Sequence, residues 1–324
     1  MEKKYIISID MGGTKILAGL INSKEGIIAK VKSPTISGGS QKEYISSLVK
    51  IINTLIKNAG LKSKNIKAVC LGIPGSLNPY TGVVGLAPNL GLKKFRVRDK
   101  LQEKISFPVL IENDVNLGAL GLKKFGAAKK AKNMLAVFVG TGIGGAIIID
   151  GKIYRGASFA AGEIGHMIIK KDGPLCGCGK KGCFESVASR ASIVRDILAD
   201  IKRNKKSIIK KLSFPNKPIK SRILSEAVKA NDELTIKHIS NACAVIGQVL
   251  ANVTNLMNFD TIVLGGGLVE ALDKFMLPII KKSFNENVLK DIANTVEMVS
   301  NNLGDDAAIY GGIALAEEFL NLKV

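Results

Sequence analysis

Three short apolar runs open the chain. Tyr5-Ile6-Ile7-Ser8-Ile9 ends in Asp10, Ile16 to Ile21 follows the turn Met11-Gly12-Gly13-Thr14-Lys15, and Ile27 to Val31 completes the set. Runs of that length separated only by turn residues predict consecutive antiparallel hairpins. The period then changes: Tyr44, Leu48, Ile51, Ile52, Leu55 and Ile56 recur at helical spacing between 41 and 60, and the helix should stop at Gly60. A strand over Ile66 to Ile73 leads into Pro74-Gly75-Ser76, and a loop with a polar tip follows, Leu86-Ala87-Pro88-Asn89-Leu90. A weaker helix, about Arg98 to Lys104, precedes a strand at Val109-Leu110-Ile111, which runs into Glu112-Asn113-Asp114. The next helix is expected over Val115 to Phe125, with Asp114 as its N-cap, as a strand-end carboxylate with a binding role, or as both.

The second half repeats this beginning. A strand over Met134 to Val139 flows into Gly140-Thr141-Gly142-Ile143-Gly144-Gly145, then Ala146 to Ile149, with a turn at Asp150-Gly151. This resembles a second copy of the Asp10 to Ile21 arrangement. Residues 187 to 256 are mostly helical in period, broken by Lys-rich turns, Pro215 and Pro218. A strand at Thr261 to Leu264 ends in Gly265-Gly266-Gly267, which opens a helix at about Val269. The chain closes with Val296 to Val299, then an Ala-rich helix to Leu320 for which Asp305 or Asp306 would be the cap. The fold class is therefore α/β. At 324 residues the chain exceeds the usual limit of a single core, so two domains are expected.

Composition narrows the class. With 46% apolar and 23% charged residues, the chain has the make-up of a globular protein. No apolar run approaches the roughly 20 residues that span a bilayer, and the apolar stretch after Met-Glu-Lys-Lys is too short for a signal-peptide core. A cytoplasmic protein with no membrane partner is expected. The formal charge of +20 could indicate nucleic acid. The lysines, however, are dispersed, in pairs at 93–94, 123–124, 129–130, 205–206 and 281–282, without interleaved aromatics or a nucleic-acid motif. They read as solvated surface, and no nucleic-acid partner is expected.

The turns carry the candidate chemistry. Gly12 and Gly13 strip side chains from a strand-to-strand turn, so that backbone N–H groups can approach phosphate oxygens. Asp10 could hold a metal-bound water, and Thr14 and Lys15 offer a hydroxyl and a cation. The spacing is not that of a P-loop, and the strand after Gly140 to Gly145 is not the helix of a dinucleotide fingerprint. A carboxylate at the C-terminal end of a strand, as at Asp114, is where open α/β sheets place their sites. Three of the five cysteines, Cys176, Cys178 and Cys183, fall within eight positions, ten residues and more after His166. Thiolates and imidazole are the ligands Zn²⁺ prefers, and a Cys₃His set closes a structural tetrahedral site. Glycines at 177, 179 and 182 would let that loop turn its sulfurs inward.

Taken in order, Asp10-Met-Gly-Gly-Thr-Lys15, Glu112-Asn-Asp114, Val139-Gly-Thr-Gly-Ile-Gly-Gly145, Gly162-Glu-Ile-Gly-His166, Cys176-Gly-Cys-Gly-Lys-Lys-Gly-Cys-Phe-Glu185 and Leu264-Gly-Gly-Gly267 resemble the ROK family of bacterial sugar kinases and repressors over essentially the whole chain. The resemblance implies the actin-like, ribonuclease-H-like ATPase fold, with two duplicated domains flanking a cleft. The expected boundaries are 1–116 plus 305–324 for a smaller domain and 117–304 for a larger one that carries the zinc loop.

The resemblance further implies that Asp114 is the catalytic base for a sugar hydroxyl attacking the γ-phosphoryl group. Asn89, Asn113, Asp114, Glu163, His166 and Glu185 would bind the sugar. Asp10, Gly12, Gly13, Thr14, Lys15, Thr141 and Gly142 would lie on the phosphate side, with Gly266 and Gly267 toward adenosine. Mg²⁺ would accompany ATP, and a structural Zn²⁺ would sit on His166, Cys176, Cys178 and Cys183. The similarity is greatest to glucokinases, which make glucose 6-phosphate. Many of these follow Pro-Asn-Leu with an aromatic where this chain has Gly91-Leu92, so N-acetylmannosamine, N-acetylglucosamine, mannose and fructose are alternatives. The family's repressors carry an N-terminal DNA-binding domain, for which a phosphate turn starting at Asp10 leaves no room. A homodimer or homotetramer is expected.

Overall fold

The structure, a computed structural model, describes residues 4–36, 38–212 and 218–321; Pro215 lies outside them. In chain order the elements begin β1 (Tyr5–Met11), β2 (Lys15–Asn22), β3 (Gly26–Pro34), α1 (Gln41–Asn58), β4 (Ile66–Ile73), β5 (Ser76–Asn78), β6 (Val83–Ala87) and β7 (Leu92–Phe95). Next come α2 (Val97–Gln102), β8 (Val109–Asn113), α3 (Asp114–Lys124), β9 (Met134–Val139), β10 (Ile143–Ile149), β11 (Lys152–Tyr154), α4 (Phe184–Ala188) and α5 (Arg190–Lys202). The last group is α6 (Ile209–Leu212), α7 (Ser221–Lys229), α8 (Glu233–Met257), β12 (Thr261–Gly265), α9 (Gly267–Asn287), α10 (Lys290–Ala293), β13 (Glu297–Ser300) and α11 (Ala307–Leu320).

Two compact units share these elements. The first contains residues 1–130, 152–161 and 305–324; the second contains 131–151 and 162–304. The division differs from a boundary at residue 116, and the reason is packing. Residue 116 lies inside α3, and α3 lies against α11 with backbone on backbone. A Cβ added at Gly121 would fall 1.9 Å from the Ala307 carbonyl oxygen, and one at Gly311 would fall 1.8 Å from that of Leu117. A helix held so closely cannot be cut between two bodies.

In the first unit the sheet order is β3-β2-β1-β4-β8. β1 pairs antiparallel with β2, β2 antiparallel with β3, and β1, β4 and β8 run parallel. Register aligns Asp10 with Gly72, and Gly72 with Glu112, across the three parallel strands. Their C-terminal ends therefore meet at one edge. Helix α1 covers a face of this sheet, burying Leu48, Ile52 and Leu55 against Ile7 and Ile9, each of which contributes roughly 1.5–3 kcal/mol by leaving water. Ser40 and Glu43 cap the helix reciprocally, side chain to backbone, fixing where it begins.

The stretch around Leu86, which reads as a loop, instead forms a small antiparallel sheet, β5-β6-β7. Only Pro88–Leu90 is a turn, one of 3₁₀ form. Its strands are three to five residues long, too short for alternation to declare them.

The second unit repeats the arrangement. β9 and β10 are antiparallel, and β9, β12 and β13 are parallel, so β10-β9-β12-β13 reproduces β2-β1-β4-β8. Helices α8 and α9 pack on this sheet around Ile246, Leu250, Leu268 and Ile280. The glycine-rich turns of the two halves therefore occupy equivalent places.

Candidate functional site

At the shared strand edge of the first unit, Asn113 ends β8 and the chain turns directly into α3. Asn113, not Asp114, is the cap: its Oδ1 accepts from the N–H groups of Val115 at 2.9 Å and Asn116 at 3.2 Å. An amide one position earlier in the turn has the extended backbone a cap requires. Asp114 is left as the first helical residue, half-buried, with one oxygen accepting from the Val115 N–H at 3.0 Å. Gly72 permits this approach, since a Cβ there would sit 3.3 Å from the Asp114 Cα.

Asp10 faces the same region. Burial, then the charge of Asp114, and also that of Asp305, push its carboxyl up to about 7, while Lys15 opposes them. Three carboxylates and a lysine thus converge beside the glycine turn. The turn itself is tied down by Thr35, whose hydroxyl donates to the Gly12 carbonyl at 2.6 Å and whose N–H donates to that of Thr14 at 3.2 Å. Asn89 stands over it: a Cβ on Gly13 would lie 3.3 Å from the Asn89 Cβ. The Tyr44 hydroxyl donates to the Leu90 carbonyl at 2.6 Å, which anchors the Asn89 turn to α1. Asp305 and Asp306 do not cap α11 by their side chains. Asp305 instead pairs with Lys15, and Asp306 pairs with Lys30 at 2.5 Å.

In the second unit the Gly140–Gly145 turn closes on itself, the Gly140 N–H donating to the Gly142 carbonyl at 2.9 Å. Glu185 leans over it, with Oε2 accepting from the Ile143 N–H at 3.0 Å. A Cβ on Gly142 would meet that oxygen at 2.1 Å, so a side chain there must displace the Glu185 carboxylate. Gly266, just after β12, has φ +87° and would drive a Cβ to 2.7 Å from the Val139 backbone. Only glycine satisfies both conditions. Gly267 then begins α9.

The cysteine loop forms one cluster. One ligand atom from each of His166, Cys176, Cys178 and Cys183 lies within 4.8 Å of the others. Cys176 Sγ is 3.7 Å from His166 Nδ1, and Cys178 Sγ is 3.6 Å from Cys183 Sγ. A tetrahedral zinc with bonds near 2.3 Å needs sulfurs about 3.8 Å apart. The donors fit. Burial pushes the Cys176 thiol up to about 12, whereas the Lys180 backbone N–H pulls the exposed Cys178 thiol down. Of the three loop glycines, Gly179 and Gly182 have positive φ, at 87° and 76°, and Gly177 does not. Gly182 also abuts the Lys170 carbonyl oxygen, whereas Gly177 has open space around it. The bend rests on two glycines rather than three.

The cluster reaches the candidate ligand residues directly. His166 Nε2 lies 3.9 Å from a Glu163 oxygen, and Cys176 Sγ lies 3.8 Å from Glu185 Oε1. Glu163 and His166 are exposed, as is Asn89.

Sequence reasoning missed three groups. Arg190 opens α5 and donates to the Thr141 hydroxyl at 2.5 Å, to the Ile219 carbonyl at 2.8 Å, and from its own N–H to the Gly140 carbonyl at 3.0 Å. Asp305 is the partner of Lys15, and Arg155 is the partner of Glu112. None of these lies in a recognisable spacing. The acidic pair at 305–306 was the one visible signal, and a helix start explained it equally well.

The paired sheets and their glycine turns define an actin-like ATPase fold. Residues 6–319 match the profile of the ROK family, and the chain belongs to that family. A glucokinase of Halalkalibacterium halodurans is 31% identical over 313 residues, covering 96% of this chain and 94% of that one. A xylose repressor of Bacillus spizizenii is 28% identical, over 98% of this chain and 78% of the repressor. Among solved structures, a ROK family glucokinase from Streptomyces griseus in complex with glucose and AMPPNP superposes with a TM-score of 0.84. It is 28% identical, and the match covers 97% of this chain and 99% of that one. No helix among the described residues is long and apolar enough to cross a membrane.

Proposed function

We propose that the protein is an ATP-dependent hexose kinase that converts glucose to glucose 6-phosphate, with Asp114 as catalytic base. The observation that carries this reading is the strand edge at which Asp10, the Gly12-Gly13 turn and Asp114 meet, an acid–base and phosphate-binding set in one place. Asp114 takes the proton of the attacking sugar hydroxyl. The hydroxyl oxygen bonds to the γ-phosphorus as the bond to the bridging oxygen of ADP breaks. Phosphoryl transfer depends mainly on positioning and charge stabilisation, and one oriented carboxylate suffices to take the proton.

Asn89, Asn113, Glu163, His166 and Glu185 are assigned to sugar hydroxyls. Gly12, Gly13, Thr14, Lys15, Thr141 and Gly142 are assigned to phosphates, and Gly266 and Gly267 to the adenosine side. Asp10 would hold, through water, a Mg²⁺ that would offset phosphate charge when the nucleotide is bound. Zinc held by His166, Cys176, Cys178 and Cys183 would supply rigidity rather than chemistry. Bound there, it would keep the His166 ring beside Glu163 and brace the loop that leads to Glu185. The enzyme acts in the cytoplasm, as a homodimer or homotetramer, on free sugar and without a nucleic-acid partner.

A coupled ADP-release assay across glucose, mannose, fructose, N-acetylglucosamine and N-acetylmannosamine tests this reading. Highest kcat/KM on glucose is expected. Highest kcat/KM on an N-acetylated sugar would move the substrate, and no activity on any of them would remove the kinase assignment. Because the relatives include xylose repressors, a salt-dependent gel shift on operator-like DNA belongs beside it, and none is expected.

A further inference from the structure

The carboxylate two residues before Asp114 is fully engaged. Glu112 is 1% exposed. Its Oε1 accepts from the Asn113 N–H at 2.9 Å and from Asn116 Nδ2 at 3.0 Å, and its Oε2 accepts from Arg155 Nε at 2.7 Å. Arg155 is itself buried, at 8% exposure. Its other two nitrogens donate to the two oxygens of Glu318 on α11, at 2.6 and 3.1 Å. The guanidinium carbon lies 5.9 Å from the centre of the Tyr80 ring and 5.4 Å from that of Phe319.

Burying such a set costs desolvation that a well-packed apolar cluster would avoid. What it secures here is a particular junction. Glu112 grips the last residue of β8 through the Asn113 N–H and the first turn of α3 through the Asn116 amide. Asp114 sits between those two grips. Asn113, held at its N–H by Glu112, in turn caps the helix from which Asp114 projects.

Resting on the reading of Asp114 as the base, we propose that Arg155 is a positioning residue for phosphoryl transfer. By neutralising and orienting Glu112, it fixes the direction in which Asp114 presents its carboxylate. Without Arg155, Glu112 would be an unpaired buried charge. It would draw in water or rotate, releasing the Asn113 N–H and the Asn116 amide together. A displacement of about 1 Å at a reacting group can cost on the order of 100-fold in rate.

A purely structural tie between residues 152–161 and α11 would predict lost stability without altered turnover per folded molecule. Steady-state kinetics on Arg155→Met, Arg155→Lys and the double variant Arg155→Met/Glu112→Gln separates the two. Arg155→Met should lower kcat roughly 10- to 100-fold while KM for sugar and ATP stays within about twofold. The double variant, which removes the stranded charge, should recover about fivefold of that loss, and Arg155→Lys should fall between.

Wild-type kcat in folded Arg155→Met would overturn the proposal, as would a loss that Glu112→Gln does not relieve. If Arg155→Met fails to fold, Arg155→Lys and single Glu112→Gln carry the test: wild-type kcat in both would overturn it. The outcome is separable from that for the base. Normal turnover by Asp114→Asn removes the base assignment, whereas an inactive Asp114→Asn beside a fully active Arg155→Met removes only the role of Arg155.

Discussion

The β1–β2 turn and the β9–β10 turn occupy the same position in two sheets of the same order, yet they are furnished differently. Around the first stand Asp10, Lys15, Asp114 and Asp305; burial, helped by the charges of Asp114 and Asp305 and opposed by Lys15, pushes the Asp10 carboxyl up to about 7. The second has no titratable group of its own in Gly140–Gly145. It is held from outside, by Glu185 on the Ile143 N–H and by Arg190 on Thr141 and Gly140. Duplication supplied one backbone device twice. The copies differ in that the first gathers titratable groups, whereas the second is braced by side chains from outside it, one of which, Glu185, lies 3.8 Å from Cys176 Sγ.

That contrast can be broken at several points. The largest effect is expected at the charged turn. Asp114→Ala should lower kcat by about 10²–10⁴-fold with sugar binding retained, and isothermal titration with glucose beside turnover decides it. In the second unit, Cys178→Ala should abolish stoichiometric zinc, lower the melting temperature and raise sugar KM roughly tenfold. Zinc analysis, calorimetry and kinetics on one preparation check all three, and unchanged values would detach the cluster from function.

Gly142→Ala places a Cβ against Glu185. The strain of about 1–3 kcal/mol should appear as weaker nucleotide binding, with Asp114 chemistry otherwise intact.

An effect of similar size concerns pH. The folded state binds the Asp10 proton more tightly than the unfolded chain does. Stability therefore falls as pH rises from the ordinary carboxylate range near 3.8 to about 7. Asp10→Asn should remove that slope in the nucleotide-free protein, gaining on the order of 1–4 kcal/mol at pH 8 and little at pH 4. Denaturant midpoints at the two pH values would show it, and equal gains at both would contradict it. The smallest contrast lies inside the loop: Gly182→Ala should cost metal affinity, and Gly177→Ala should cost nothing measurable.

Much of this was legible in the residues. The apolar runs at Ile6 to Ile9 and Ile16 to Ile21 announce β1 and β2 because both strands are buried and the Gly12-Gly13 turn punctuates them. The repeat at Met134 to Ile149 carries the same signature, and the Cys/His spacing announces the gathering of four donor side chains because so few other uses explain it. What escaped notice has physical reasons. Strands β5 to β7 are too short for alternation to register. Asn113 and Asp114 are both good caps, and only the backbone geometry of the turn chooses between them. Arg155 lies 43 residues from Glu112 and 163 from Glu318. A pair formed across such distances leaves no periodic trace.

The most direct test of the central claim is product analysis by ³¹P NMR after incubating the purified protein with glucose, ATP and Mg²⁺. The account predicts a hexose 6-phosphate resonance that grows in equal amount with ADP and is absent with Asp114→Ala. ADP appearing without a sugar phosphate, or the same sugar phosphate formed by Asp114→Ala, would contradict it.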